Sequence, residues 1–88
     1  MVIDGIFYKD DETKPDLGSL RCASSVKSPI TGKQIREYYG LSSDASKLPT
    51  VADYPKYADI LGSGSIAIFT DTGEASIYDE VEDSWNQL

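Results

Sequence analysis

The last 24 residues, 65–88, constrain the fold most, because they contain the clearest strand pattern of the chain. In two runs, SIAIF and ASIY, successive side chains are expected to point to opposite faces, as they do in strands. Acidic turns at 70–74 and 79–83 separate the runs from each other and from a third short strand, and Gly73 suits a positive φ. We therefore predict a three-stranded β-meander. The residues expected to form its packed surface, and a candidate subunit interface, are Ile66, Ile68, Phe69, Ile77, Tyr78 and Trp85.

Residues 19–41 are expected to form an antiparallel hairpin. Two moderately β-prone stretches, 19–25 and 33–41, flank a segment whose proline and glycine mark a turn. The stretch 33–39 has fair helix propensity, so a short helix there is the alternative.

Residues 42–64 are expected to be a loop followed by a short helix. Thr50 or Asp53 is suited to cap a helix that runs to about Leu61, where Gly62 follows. The spacing of four apolar residues places them on one helix face toward the sheet: Tyr54, Tyr57, Ala58 and Leu61.

The first 18 residues are expected to be an N-terminal arm and loop. The apolar segment 3–8 precedes a polar stretch without periodicity, so it is either an edge strand or an arm that docks on its own domain or on a neighbouring subunit. The fold class that these segments predict for 1–88 is a single small domain, mainly β (small α+β), with a hairpin, a C-terminal meander and one short helix.

Charge is distributed unevenly along the chain. Residues 1–56 contain eight bases and eight acids, whereas 57–88 contain seven acids and no base, which accounts for the net charge of −7. Such a surface repels phosphate backbones and disfavours nucleic acid as a partner. The acids are expected to form a solvated face, or to dock on a basic protein.

Few catalytic or metal-binding chemistries can be assembled from these residue types. The chain has no histidine and only one cysteine, Cys22. We therefore expect no internal disulfide, no zinc site and no Cys-His catalytic pair. Asp71-Thr72-Gly73 resembles an aspartic-protease triplet, but a turn explains it. The acids at 79–83 lack the ligand spacing of a calcium loop. We expect no catalytic residues, no cofactor and no metal.

Two further expectations concern partners and location. Four tyrosines are candidates for stacking on a carbohydrate, although packing explains them equally well: Tyr38, Tyr39, Tyr54 and Tyr57. The N-terminus lacks a basic region and no apolar run is long enough to span a membrane, so neither a signal peptide nor a membrane partner is predicted.

Residues 41–88 resemble small structural proteins of tailed phages and prophages and related β-meander segments of phage fibres. The shared motif is GSxxxxxDTGxxxxYDExxxxW. It is matched here by Gly64, Ser65, Asp71, Thr72, Gly73, Tyr78, Asp79, Glu80 and Trp85. The resemblance implies a structural role in a virion or appendage, with the virion or the bacterial host cytoplasm during assembly as the location, and it implies no catalytic residues.

The sequence therefore favours a non-enzymatic phage or prophage structural protein that assembles with itself or with other virion proteins. An acidic binding module or inhibitor, docking on a basic protein through residues 71–83, is the alternative.

Overall fold

A computed structural model describes all residues, 1–88, and it is mainly β. Seven strands form a two-stranded sheet of order β1-β2 and a five-stranded sheet of order β3-β4-β5-β6-β7. The strand bounds are β1 Val2–Ile3, β2 Ile6–Phe7, β3 Arg21–Lys27, β4 Gln34–Gly40, β5 Ile66–Phe69, β6 Ala75–Asp79 and β7 Ser84–Gln87. The predicted fold class is confirmed.

Both predicted antiparallel units are present in the five-stranded sheet. Strands β3 and β4 form the hairpin, and β5, β6 and β7 form the meander. The alternative of a short helix at 33–39 is wrong, because β4 is hydrogen-bonded on both sides. It pairs with β3 on one side and runs parallel to β5 on the other, which joins the hairpin to the meander.

The parallel pairing of β4 with β5 requires a long crossover, since the chain must return to the end of the sheet from which β4 started. Residues 41–65 make this crossover and contain two 3₁₀ helices, Ser42–Lys47 and Pro55–Asp59. The predicted short helix is thus a 3₁₀ helix without a side-chain cap. It begins at Pro55 because the residue before a proline prefers extended backbone, and Tyr54 has φ −135° and ψ 86°. Asp53 is therefore not its cap.

The crossover and the N-terminal segment together cover one face of the sheet. One core cluster joins Leu17, Leu20 and Leu48 to inward residues of the sheet, and a second joins Tyr57 and Leu61 to Tyr78. The predicted apolar helix face is largely confirmed, because Tyr57 and Leu61 are buried and Tyr54 packs against them. We call this side of the sheet the covered face.

The N-terminal segment forms a small hairpin, β1-β2, outside the five-stranded sheet. Asp4 and Gly5 occupy its turn with φ 55° and 78°, the left-handed pair that a two-residue hairpin turn requires. Of the two alternatives for 3–8, the edge strand is therefore wrong, and the segment is an arm that packs on its own domain.

A buried carboxylate fastens this hairpin to the sheet. Asp4 Oδ2 accepts hydrogen bonds from Arg36 Nη1 at 2.7 Å, from the Tyr38 hydroxyl at 2.6 Å and from the Tyr57 hydroxyl at 2.7 Å. Only 3% of the Asp4 side chain and 8% of the Arg36 side chain are exposed. Burial, followed by the nearby Asp4 carboxylate, raises the pKa of both tyrosines. One residue thus connects the hairpin, β4 and the crossover.

We expect Asp4→Asn to lower the free energy of unfolding by about 3–5 kcal/mol, because it leaves the Arg36 guanidinium buried without a counter-charge. Asparagine keeps the size of the side chain and tolerates a positive φ, so the change removes mainly the charge. Urea unfolding followed by tryptophan fluorescence measures the loss.

The matched control is Asp16→Asn. The Asp16 side chain is 83% exposed and lies 3.7 Å from Lys47, so we expect a change within about 0.5 kcal/mol. Equal losses in the two variants would contradict a central role for Asp4.

Candidate interaction surface

The second face of the five-stranded sheet contributes no residue to either core cluster. The strand register identifies its side chains, because partners in a ladder point to the same face. Burial alternates accordingly along β4, β5 and β6. This open face consists of Arg21, Ser24 and Val26 on β3, Ile35, Glu37 and Tyr39 on β4, Ile66 and Ile68 on β5, Ala75, Ile77 and Asp79 on β6, and Ser84 and Asn86 on β7.

Apolar side chains run across the middle of the open face. One row contains Tyr39, Ile68 and Ala75, and the next contains Ile66 and Ile77. A third contact is the cross-strand pair of Val26, 63% exposed, and Ile35, 40% exposed. Contiguous apolar surface of this kind usually marks an interaction site in a small protein.

One carboxylate lies among these apolar residues. Glu37 is exposed between Ile35 and Tyr39 along β4, with Ile66 beside it on β5. The Tyr39 hydroxyl donates to Glu37 Oε2 at 3.2 Å, and this hydrogen bond raises the pKa of the Tyr39 phenol. None of the five ion pairs of the chain includes Glu37.

The structure divides the predicted meander residues between the two faces. Ile66, Ile68 and Ile77 lie half-buried on the open face. Phe69, Tyr78 and Trp85 lie on the covered face, where the Trp85 ring packs against Tyr78 with centroids 5.3 Å apart, and its Nε1 donates to the Pro49 carbonyl at 2.8 Å. Gly73 has φ 75° in the turn between β5 and β6, as expected. Only the three isoleucines are thus available to a partner.

Three acids of the predicted acidic surface hold the crossover to the meander. Asp71 accepts from the backbone and hydroxyl of Ser42 at 2.9 and 2.7 Å. Glu80 accepts from Lys33 at 2.6 Å and from the Ser63 amide at 2.9 Å. These two carboxylates are internal hydrogen-bond acceptors more than free surface charges.

Asp83 plays the same part at the second turn of the meander. It accepts from the backbone amides of Val51 at 2.8 Å and Ala52 at 2.9 Å, and from the Tyr78 hydroxyl. Partial burial raises its pKa, but these hydrogen bonds outweigh that effect, so the pKa of the Asp83 carboxyl is lowered. Hydrogen bonds from Ser42 and from Lys33, respectively, also lower the pKa values of Asp71 and Glu80.

The remaining sequence candidates do not converge on a site. Tyr38 and Tyr57 are fully buried, and Tyr39 lies on the open face, so the four tyrosines do not share a surface for a sugar. No group of three or more Cys, Asp or Glu side chains is placed to hold a metal ion. A cleft of about 570 Å³ lies beside Asp4 and Arg36, but these two groups bind each other at its floor.

Sequence reasoning did not find the two charged residues that matter most, Asp4 and Glu37. The Asp4-Gly5 pair between apolar residues was a signal for a two-residue hairpin turn. The outward set of Ile35, Glu37 and Tyr39 was visible as alternation in β4, but which face stays uncovered depends on the path of the crossover.

Comparison with known proteins gives no relative for this chain: it matches no family model, no curated protein and no solved structure. None of its helices has the length and apolar character needed to cross a membrane.

We expect stability to fall as the pH decreases through the acid range. Asp71, Glu80 and Asp83 have lowered pKa values in the folded chain, so their stabilisation is complete above the unfolded pKa, about 4, and is lost as the pH falls through the lower folded values. The midpoint of urea unfolding should therefore be lower at pH 2.5 than at pH 6.

Asp83→Asn should reduce this pH dependence, because it removes one carboxylate that contributes to it. Asp53→Asn is the matched control, since no hydrogen bond to the Asp53 carboxylate is present, and it should leave the dependence unchanged. A midpoint that is the same at both pH values in the unmodified chain would contradict this account.

Proposed function

We propose that this chain is a non-enzymatic structural protein that works by assembly, with its open face seated on another protein of the same assembly. The observation that carries the proposal is the apolar surface of the open face, formed around Ile66, Ile68 and Ile77, which the chain leaves half-buried and outside its two core clusters. A partner that covers these residues removes apolar area from water, which is the main favourable term in protein association.

The polar groups of the chain support an assembly role over catalysis. The buried pair of Asp4 and Arg36 is occupied by internal hydrogen bonds, and the three hydrogen-bonded acids hold the crossover. These charges therefore stabilise the scaffold that presents the open face.

The phage or prophage setting is part of the proposal and comes from the resemblance of residues 41–88. In that setting the partner is another virion protein, and the chain acts in the virion or in the host cytoplasm during assembly. The motif residues Asp71, Glu80 and Trp85 hold the meander to the crossover, which supports the motif as a scaffold for the presented face.

The acidic binding module is the weaker proposal. It requires free carboxylates between residues 71 and 83, and three of those carboxylates are engaged within the chain.

The test compares two variants, each with one apolar residue replaced by aspartate, in the cells from which the chain comes. Ile68→Asp places a charge on the open face, whereas Val81→Asp places it in an exposed turn where Val81 is 94% exposed. Each tagged chain is expressed at its native level, and the extract is separated by size.

We expect the unmodified chain and Val81→Asp to elute in a particle much larger than the 9.6 kDa chain, and Ile68→Asp to elute alone. Circular dichroism of the purified variants checks that all three are folded. An unmodified chain that elutes alone, or an Ile68→Asp chain that stays in the particle, would overturn the proposal.

A further inference from the structure

The position of Glu37 on the open face bears on which partner that face accepts. Strands in a sheet lie about 4.8 Å apart and rise about 3.3 Å per residue. With the observed register, these spacings place Glu37 about 4 Å from the centre of the apolar surface formed by Val26, Ile35, Tyr39, Ile66, Ile68, Ala75 and Ile77. Of the charged side chains of the open face, Glu37 is thus the one near the middle, whereas Arg21 lies on the edge strand and Asp79 at the end of β6.

A central charge has a direct consequence for pairing with a second copy. In a symmetric face-to-face dimer, the two-fold axis lies in the plane of the contact and passes through its middle. Within that plane, a residue and its symmetry mate are separated by no more than twice the distance of the residue from the middle of the contact. The two Glu37 positions would then lie within about 8 Å of each other in the plane of the contact, whatever the angle between the sheets. This in-plane separation does not exceed the Debye length at physiological salt, about 8 Å, and the surrounding apolar residues exclude water.

No base of the chain lies where it would neutralise this carboxylate. Arg36 points to the covered face and binds Asp4. Arg21 belongs to the open face, but its guanidinium donates to the Gly18 and Leu20 carbonyls at 2.7 and 2.8 Å and lies at the edge strand. The Tyr39 hydroxyl binds Oε2 only, so Oε1 of Glu37 is free to accept a donor from outside.

We infer that Glu37 selects the partner of the open face: it excludes a second copy and accepts a protein whose apolar surface carries a lysine or arginine opposite this carboxylate. The inference rests on the proposed function and specifies the chemistry of the partner. A base in this position forms a charge-assisted hydrogen bond in surroundings from which the partner excludes water, where such a bond is stronger than at an open surface. The excess of acids over bases in the chain favours the approach of the same partner.

The charge variant Glu37→Lys supplies a probe with this chemistry, since it has the same apolar face with a base in place of the acid. The unmodified chain, the variant and their equimolar mixture are compared by sedimentation equilibrium at pH 7 and low salt. We expect the mixture to associate at least tenfold more tightly than either component alone, and to weaken at 0.5 M salt.

The matched control is the unmodified chain mixed with Glu82→Lys. Glu82 is exposed in the turn before β7, so this variant has the same net charge without a base on the open face. We expect this mixture to remain monomeric. Equal association in both mixtures would mean that net charge alone acts, and would overturn the inference.

Glu37→Gln isolates the exclusion of a second copy. Removing the charge without adding a base should tighten self-association at least tenfold relative to the unmodified chain, whereas Glu82→Gln should not. An unmodified chain that already dimerises as tightly as Glu37→Gln would overturn the inference, because the carboxylate would then exclude nothing.

The failure of this inference is distinguishable from that of the proposed function. If the Glu37→Lys mixture stays monomeric while Ile68→Asp releases the chain from its particle, the face binds a partner but Glu37 does not select it. If the mixture associates while the unmodified chain elutes alone from cells, the charge selection is real and the assembly role is wrong.

Discussion

The buried ion pair between Asp4 and Arg36 is the interaction on which the arrangement of this molecule depends. An 88-residue chain buries only a modest core, and here both core clusters lie on one face of the five-stranded sheet. The Asp4 carboxylate of the N-terminal hairpin accepts hydrogen bonds from two inward side chains of β4 and from a tyrosine of the crossover, so it connects all three segments. The contact lies on the covered face, so it ties the hairpin and the crossover to the same side of the sheet.

The charged groups differ in role between the covered face and the open face. Asp4 on the covered side, and Asp71, Glu80 and Asp83 at the turns, accept hydrogen bonds from backbone amides, hydroxyls and bases, so these carboxylates act in folding. On the open face the only charge near the middle is Glu37, which has a tyrosine hydroxyl as its one partner. A charge that the fold does not use lies beside the exposed Ile35 and the half-buried Ile66, and it connects the architecture to a choice of partner.

Much of the β-structure was predictable from the sequence because strand alternation and turn residues are local signals. The runs around Ile66 and Ile77 and the glycine at 73 defined the meander, and the proline and glycine between 26 and 32 defined the hairpin. The start and the type of the predicted helix differ from the expectation, because Pro55 favours an extended residue before it and the segment closes as a 3₁₀ helix.

The contacts between these units were not predictable, because they join residues far apart in the chain. Nothing local to β4 indicates that it pairs in parallel with β5, and nothing near Asp4 indicates that its partner is Arg36, 32 residues away. The same holds for the position of Ile66, Ile68 and Ile77 outside the core. The alternation showed that they share a face, but the path of the crossover decides that this face is the uncovered one.

The measurement that most directly tests the central claim, that one sheet face is bare, is the attenuation of methyl NMR signals by a soluble paramagnetic probe. The claim predicts that the methyls of Ile35, Ile68 and Ile77 lose intensity strongly. The methyls of Leu20 and Leu61, which lie in the core, should be protected. Isoleucine signals on the open face that are protected as fully as these leucines would show that the face is covered, and would contradict the account.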